Sequence, residues 1–219
     1  MDIFNMAYEY RDFFLTGLQY TLLLAVIGVF FGFVLGIAVA LLRMSKIWPL
    51  RILASAWVEF LRGTPMLVQL FLIHYGLTVV GIEFSPIQSG AITLIINSSA
   101  YLAETFRAGI QGVDRGQTEA ARSLGMKQGM TLRYIVLPQA IKSVLPAIGN
   151  EFVTIIKESS IVSMIGVTDL LFQSRSVTTI TYEPLTPLLI IACMYFVMTF
   201  TLSKLLGRVE RRLNTDDRG

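Results

Sequence analysis

The 219-residue sequence predicts an all-α membrane protein, one domain over residues 1–219 with five transmembrane helices, the N-terminus outside and the C-terminus inside. Three observations predict it. The chain is 54% hydrophobic and only 15% charged, whereas a typical soluble domain is about 25% charged. The apolar residues are gathered into long runs rather than spread over short amphipathic segments. Lysine and arginine fall between those runs, on alternate sides.

A helix needs about 20 apolar residues to cross a hydrocarbon core about 30 Å thick. Residues 17–42 supply a first span without a charge, and 52–80 a second, interrupted by Glu59, Arg62 and Pro65. Residues 87–108 form a third, with Glu104 and Arg107 near its end; 140–158 and 185–206 form the fourth and fifth. The first connection carries Arg43, Lys46 and Arg51. The third carries Arg107, Arg115, Arg122, Lys127, Arg133 and Lys142, and the tail Lys204, Arg208, Arg211, Arg212 and Arg218. Residues 81–86 have no positive charge, the fourth connection only Arg175, and the N-terminal stretch sets Arg11 against Asp2, Glu9 and Asp12. Positive connections face the cytosol, which fixes the orientation. The net charge of +3 therefore reads as orienting charge rather than as a nucleic-acid surface.

The first residues lack the basic start and small-residue cleavage site of a signal peptide, so the first apolar run is expected to stay as an anchor. The single cysteine, Cys193, has no partner for an internal disulfide. No internal repeat is visible, which argues against a carrier built from duplicated halves.

Residues 114–138 are too polar to cross the bilayer. Residues 117–124 read as a helix, with Asp114 as N-cap, Glu119 in its early part where the helix dipole favours acid, and Gly125 as its stop. A second amphipathic stretch, 130–137, ends at Pro138, where the fourth span begins. Such an element suits docking onto another protein, or lying on the lipid headgroups.

Glu119, Ala120, Ala121, Gly125, Ile135, Leu137 and Pro138 fit the pattern EAA-x3-G-x9-I-x-L-P, seven fixed positions at fixed spacing. This pattern resembles the signature of membrane subunits of bacterial ABC importers. The resemblance implies that the loop 114–138 is a coupling helix seated in a groove of a separate ATP-hydrolysing subunit. The segments 59–69 (EFLRGTPMLVQ), 97–107 (NSSAYLAETFR) and 149–160 (GNEFVTIIKESS) are similar to the polar amino acid permeases of the histidine/glutamine type. The resemblance implies two ATP-binding cassette subunits, a second permease subunit (identical or paralogous), an extracytoplasmic amino-acid-binding protein and a place in the bacterial cytoplasmic membrane. The cargo is then glutamine, arginine, histidine or a similar polar amino acid, moved by alternating access.

Counting along the spans puts Thr64–Pro65, Asn97 and Asn150–Glu151 near mid-membrane, where polar groups are expensive and mark packing or a substrate path. Pro65 leaves a backbone carbonyl without its helical donor. Glu151 suits a substrate ammonium and Lys157 its carboxylate, while Thr64 and Asn97 add neutral hydrogen bonds. In related arginine permeases the residues matching Glu151 and Lys157 are associated with bound substrate. On a regular helix, however, Glu151 and Lys157 lie about 120° apart. Lys157 near a span end also suits snorkelling to the interface, and Thr64 and Asn97 suit hydrogen bonds between spans. Glu104 and Arg107, at i and i+3, are expected to pair, His74 to make a polar contact in the bundle, and Gly28, Gly32 and Gly36 to form a packing stripe.

No G-x4-G-K-[ST] phosphate cradle occurs, so no cofactor is expected on this chain, and ATP and Mg belong to the partner ATPase. The chain is expected to be a transport subunit and not an enzyme, since no nucleophile–base pair or metal cluster stands at a convincing spacing. The competing reading is a secondary carrier or channel subunit without an ATPase, in which the motif at 119–138 has no role.

Overall fold

The computed structural model describes residues 2–215, with side chains through residue 211. Asp217 and Arg218, and the side chain of Arg212, lie outside the described residues. Every regular element among those described is a helix.

A short helix α1 (Ile3–Glu9) leads into the 33-residue α2 (Arg11–Arg43), about 50 Å long at 1.5 Å per residue. Helix α3 (Trp48–Gly63) is followed by α4 (Met66–Phe71), a π turn (Leu72–Gly76) and α5 (Leu77–Val79). Helix α6 (Pro86–Gln111) starts at a capping box: the Ser85 hydroxyl accepts from the Gln88 backbone N–H and the Gln88 side chain accepts from the Ser85 N–H. Helices α7 (Arg115–Ser123) and α8 (Gln128–Thr131) precede a second π turn (Leu132–Val136) and α9 (Leu137–Glu158). A 3₁₀ segment (Ser159–Ile165), α10 (Leu170–Thr181) and α11 (Leu185–Thr215) complete the chain.

A helix stands in each predicted span. By length and composition, two are long and apolar enough to cross a membrane, α2 and 185–211 of α11, with the bent pair of α3 and Met66–Val79 a possible third. At 26 and 22 residues, α6 and α9 are long enough but more polar. Five polar residues of α6, Ser89, Thr93, Asn97, Ser98 and Ser99, are buried inside the bundle, where protein rather than lipid surrounds them.

The interruption expected within 52–80 is a sharp bend, where the two halves meet at 110°. Thr64 and Pro65 are both extended at the break; the proline ring locks φ and disfavours a helical residue before it. At Pro138 the amphipathic stretch passes into the next helix without a break. The chain stays helical from Gln128 to Glu158 through the π turn at Leu132–Val136, a widened turn of the kind that absorbs a missing proline N–H.

Gly28, Gly32 and Gly36 face α6 of the same chain. A Cβ on Gly32 would stand 2.8 Å from the Ser98 Cβ and 3.3 Å from the Ile95 carbonyl oxygen, closer than packed atoms allow. Small residues let two helix backbones approach where lipid offers no hydrophobic drive to associate. Three apolar cores include residues of α2. One gathers Leu24, Leu70, Leu94, Ile155 and Val162; a second joins α2, α3 and α6 through Val39, Val58, Leu61 and Ala103; the third packs α1 and α10 against α2 and α11 through Met6, Phe14, Val177 and Ile190.

Candidate functional site

The break between α3 and α4 is held by side chains. The Thr64 hydroxyl donates to the Phe60 carbonyl at 2.8 Å. The Gln69 amide nitrogen reaches the carbonyls of Leu61 (2.7 Å) and Thr64 (3.1 Å) and the Thr64 hydroxyl (3.0 Å). The Gln69 amide oxygen accepts from Asn97 Nδ2 on α6 at 3.0 Å. Gln69 and Asn97 are both buried. Thus Thr64 and Asn97, picked from the sequence as substrate contacts, are engaged in helix-to-helix hydrogen bonds. Their hub is Gln69, whose signal in the sequence is an amide in the apolar run MLVQLF, four residues after a proline.

Beside the break opens a cleft of about 590 Å³, walled by Met66 and Leu67 of α4, Thr154, Lys157 and Glu158 of α9, and Ser160 and Ser163 of the 3₁₀ segment, among others. Lys157 is exposed there. Glu151 is half-buried one and a half turns earlier on α9 and is not among the cleft-lining residues. Its carboxyl lies beside Ser98 of α6, a buried hydroxyl that makes no hydrogen bond of ordinary geometry. Glu151 and Lys157 both lie on the α-helical part of α9 after its internal Pro146, so the angular separation expected for them persists.

At the far end of α6, Glu104 gathers three arginines. Arg43 from the end of α2 and Arg107 one turn on both pair with its carboxylate, Arg107 Nε at 3.2 Å, and Arg62 of α3 stands 3.9 Å away. The i, i+3 pair expected from the sequence is present, within a larger cluster joining three helix ends. His74 Nδ1 lies 2.9 Å from the Ser89 hydroxyl, the polar bundle contact expected of it. Among the described residues, no group of three or more His, Cys, Asp or Glu is placed to hold a metal ion.

The polar loop after α6 is ordered by its own caps. Asp114 Oδ1 accepts from the Gly116 N–H at 2.6 Å, which satisfies a free donor at the start of α7. At the other end Gly125 adopts φ +84°. Its N–H donates to the Arg122 carbonyl at 3.0 Å and the Met126 N–H to Ala121 at 3.1 Å, the paired bonds of a Schellman cap. Ala121 is buried toward the chain's own bundle, whereas Glu119 and Ala120 are exposed. Leu124 is 85% exposed, an apolar side chain at the helix tip that the motif alone did not single out. Ile135 and Leu137 are half-buried and Pro138 is exposed.

The sequence matches, over residues 28–215, the family described as binding-protein-dependent transport system inner membrane component. It is 39% identical over 202 residues to the putative glutamine transport system permease protein GlnP of Rickettsia bellii, covering 92% of this chain and 93% of that one. To the arginine transport system permease protein ArtQ of Bacillus subtilis it is 37% identical, covering 94% of each. Among solved structures, the crystal structure of an amino acid ABC transporter with histidines matches with a TM-score of 0.94 and 50% identity, over 97% of this chain and 99% of that one. An inward-facing form of the MetNI methionine ABC transporter shares the fold, with a TM-score of 0.76 at 21% identity. The chain belongs to the family of binding-protein-dependent transport system inner membrane components, the membrane-embedded permease subunits of ABC importers, which are not themselves the ATPase.

Proposed function

We propose that this permease carries a polar amino acid (glutamine, arginine, histidine or a near relative) inward across the bacterial cytoplasmic membrane by alternating access. The observation that carries the reading is the likeness at 50% identity, over nearly the whole of both chains, to an amino acid ABC transporter. Glu151 and Lys157 hold the charged ends of the substrate, with the Lys157 cleft as its outer entry. Thr64 and Asn97 serve the site through Gln69. The exposed face of α7, Glu119, Ala120 and Leu124, docks in a groove of the ATP-binding cassette subunit. Ala121, Gly125, Ile135, Leu137 and Pro138 fix how that face is presented. Two such ATPases, which bind ATP and Mg, a second permease subunit and an extracytoplasmic binding protein complete the assembly.

Co-expression with the cognate ATPase and reconstitution in proteoliposomes tests this. The ATPase is expected to co-purify, and binding protein loaded with labelled glutamine, arginine or histidine should stimulate hydrolysis and drive uptake. Uptake without an ATPase would establish the secondary carrier instead.

In the membrane the five spans would place the N-terminus outside and α7 with the C-terminus in the cytosol. Single cysteines introduced at Asn5 and Asp217, with Cys193 replaced, report this in intact cells. An impermeant reagent should label position 5 and leave 217 unlabelled, and the opposite pattern would invert the topology.

A further inference from the structure

In an unbroken helix the Leu61 carbonyl would accept from the backbone N–H of residue 65, four positions on. Pro65 has none. The Gln69 amide nitrogen, at 2.7 Å from the Leu61 oxygen, takes the place of that missing donor. The same nitrogen reaches both oxygens of Thr64, while the amide oxygen accepts from Asn97 of α6. Gln69 thus closes the end of α3 from within α4 and ties both to α6, and it is 3% exposed. Its neighbours in sequence, Met66 and Leu67, form the wall of the cleft that also contains Lys157.

We propose that Gln69 is a positioning residue for transport: its amide clasps the bend between α3 and α4 and fixes the first turn of α4 as a wall of the substrate cleft. The assignment rests on the amino-acid import reading above. A buried amide with both its donor and acceptor sides engaged specifies one arrangement of the surrounding helices, because any other leaves polar groups unsatisfied in a low dielectric. Backbone groups freed by a proline inside a membrane protein are tolerated where side chains re-satisfy them. Pro65 supplies the bend and Gln69 stabilises it.

The two roles, stability and positioning, separate in a pair of variants. Gln69→Leu removes the clasp. Adding Pro65→Ala to Gln69→Leu returns a backbone N–H for the Leu61 carbonyl and permits a straighter helix. The complex with its ATPase is reconstituted and supplied with its binding protein, and uptake kcat/KM for labelled glutamine, arginine and histidine is measured beside the melting temperature. We expect Gln69→Leu to lower both, kcat/KM by at least tenfold. The double variant should regain the melting temperature while kcat/KM stays within about twofold of the single variant. Gln69→Glu, which keeps the size but loses the donors, should fall with Gln69→Leu. Recovery of uptake along with melting temperature in the double variant would reduce Gln69 to a stabilising contact, as would normal uptake in Gln69→Leu. If Gln69→Leu does not assemble, the double variant is compared with wild type: kcat/KM at least tenfold down at a wild-type melting temperature supports positioning, and wild-type kcat/KM would reduce Gln69 to a stabilising contact. Wild-type complex that takes up none of the three amino acids would overturn the import reading and with it the transport role of Gln69.

Discussion

Glu119→Lys is expected to cut substrate-stimulated ATP hydrolysis at least tenfold while leaving the permease folded in the membrane. Glu119 is exposed, and its side chain takes no part in the caps of α7, so reversing its charge acts on whatever α7 meets. A charge reversal in a docked contact introduces like-charge juxtaposition or an unpaired partner, each worth several kcal/mol. A tenfold loss requires only about 1.4 kcal/mol. Gly125→Pro acts on the same step through the element itself. Proline is locked near φ −65°, whereas Gly125 sits at φ +84°. The substitution also deletes the N–H that donates to Arg122. The last turn of α7 would open, and Leu124 with it would leave its docking position. Both variants should insert normally and co-purify in reduced amount with the ATPase. Full substrate stimulation in both would remove α7 from coupling.

Much of this arrangement could be read from sequence because the residues concerned act locally. Asp114 and Gly125 bracket α7 by capping chemistry that depends on a few neighbours. Glu104 and Arg107 meet because i and i+3 share a helix face. The apolar runs mark the helices because crossing a hydrocarbon core takes about 20 apolar residues. The 110° bend and the partners of Gln69 were not legible, since they depend on how α3 and α4 settle against α6. The α10 helix is not legible as a span, since it has only 12 residues; its local signal is the N-cap, Asp169 accepting from the Phe172 N–H at 3.0 Å. Its seat depends on Gly17, where a Cβ would stand 2.8 Å from the Leu170 Cα, a contact between residues far apart in the chain. The glycine stripe of α2 was visible as a stripe, but its choice of α6 emerges only from the fold.

The substrate role of Glu151 predicts that Glu151→Gln raises the KM for uptake ten- to a hundredfold. A carboxylate at the centre of a membrane helix is costly, about 2.5–3.5 kcal/mol for Asp on insertion scales. At Glu151 the surroundings offset little of this: the carboxyl lies beside Ser98, and no cation pairs with it among the described residues. Under the proposed import, a substrate ammonium would supply the missing partner. Losing a charge-assisted hydrogen bond costs roughly 1.5–3 kcal/mol, which is the stated range of affinity. The amide keeps the shape and carries no charge to desolvate, so assembly should be unharmed or slightly improved, as size-exclusion profile and melting temperature will report. Lys157→Met should also impair uptake, and because both side chains would grip the same substrate, the two substitutions combined should cost less than the sum of each, as for groups that share a partner. Unchanged KM in Glu151→Gln, with Ser98→Ala lowering the melting temperature only in the presence of the native glutamate, would make Glu151 a packing partner of α6 and not a ligand of the substrate.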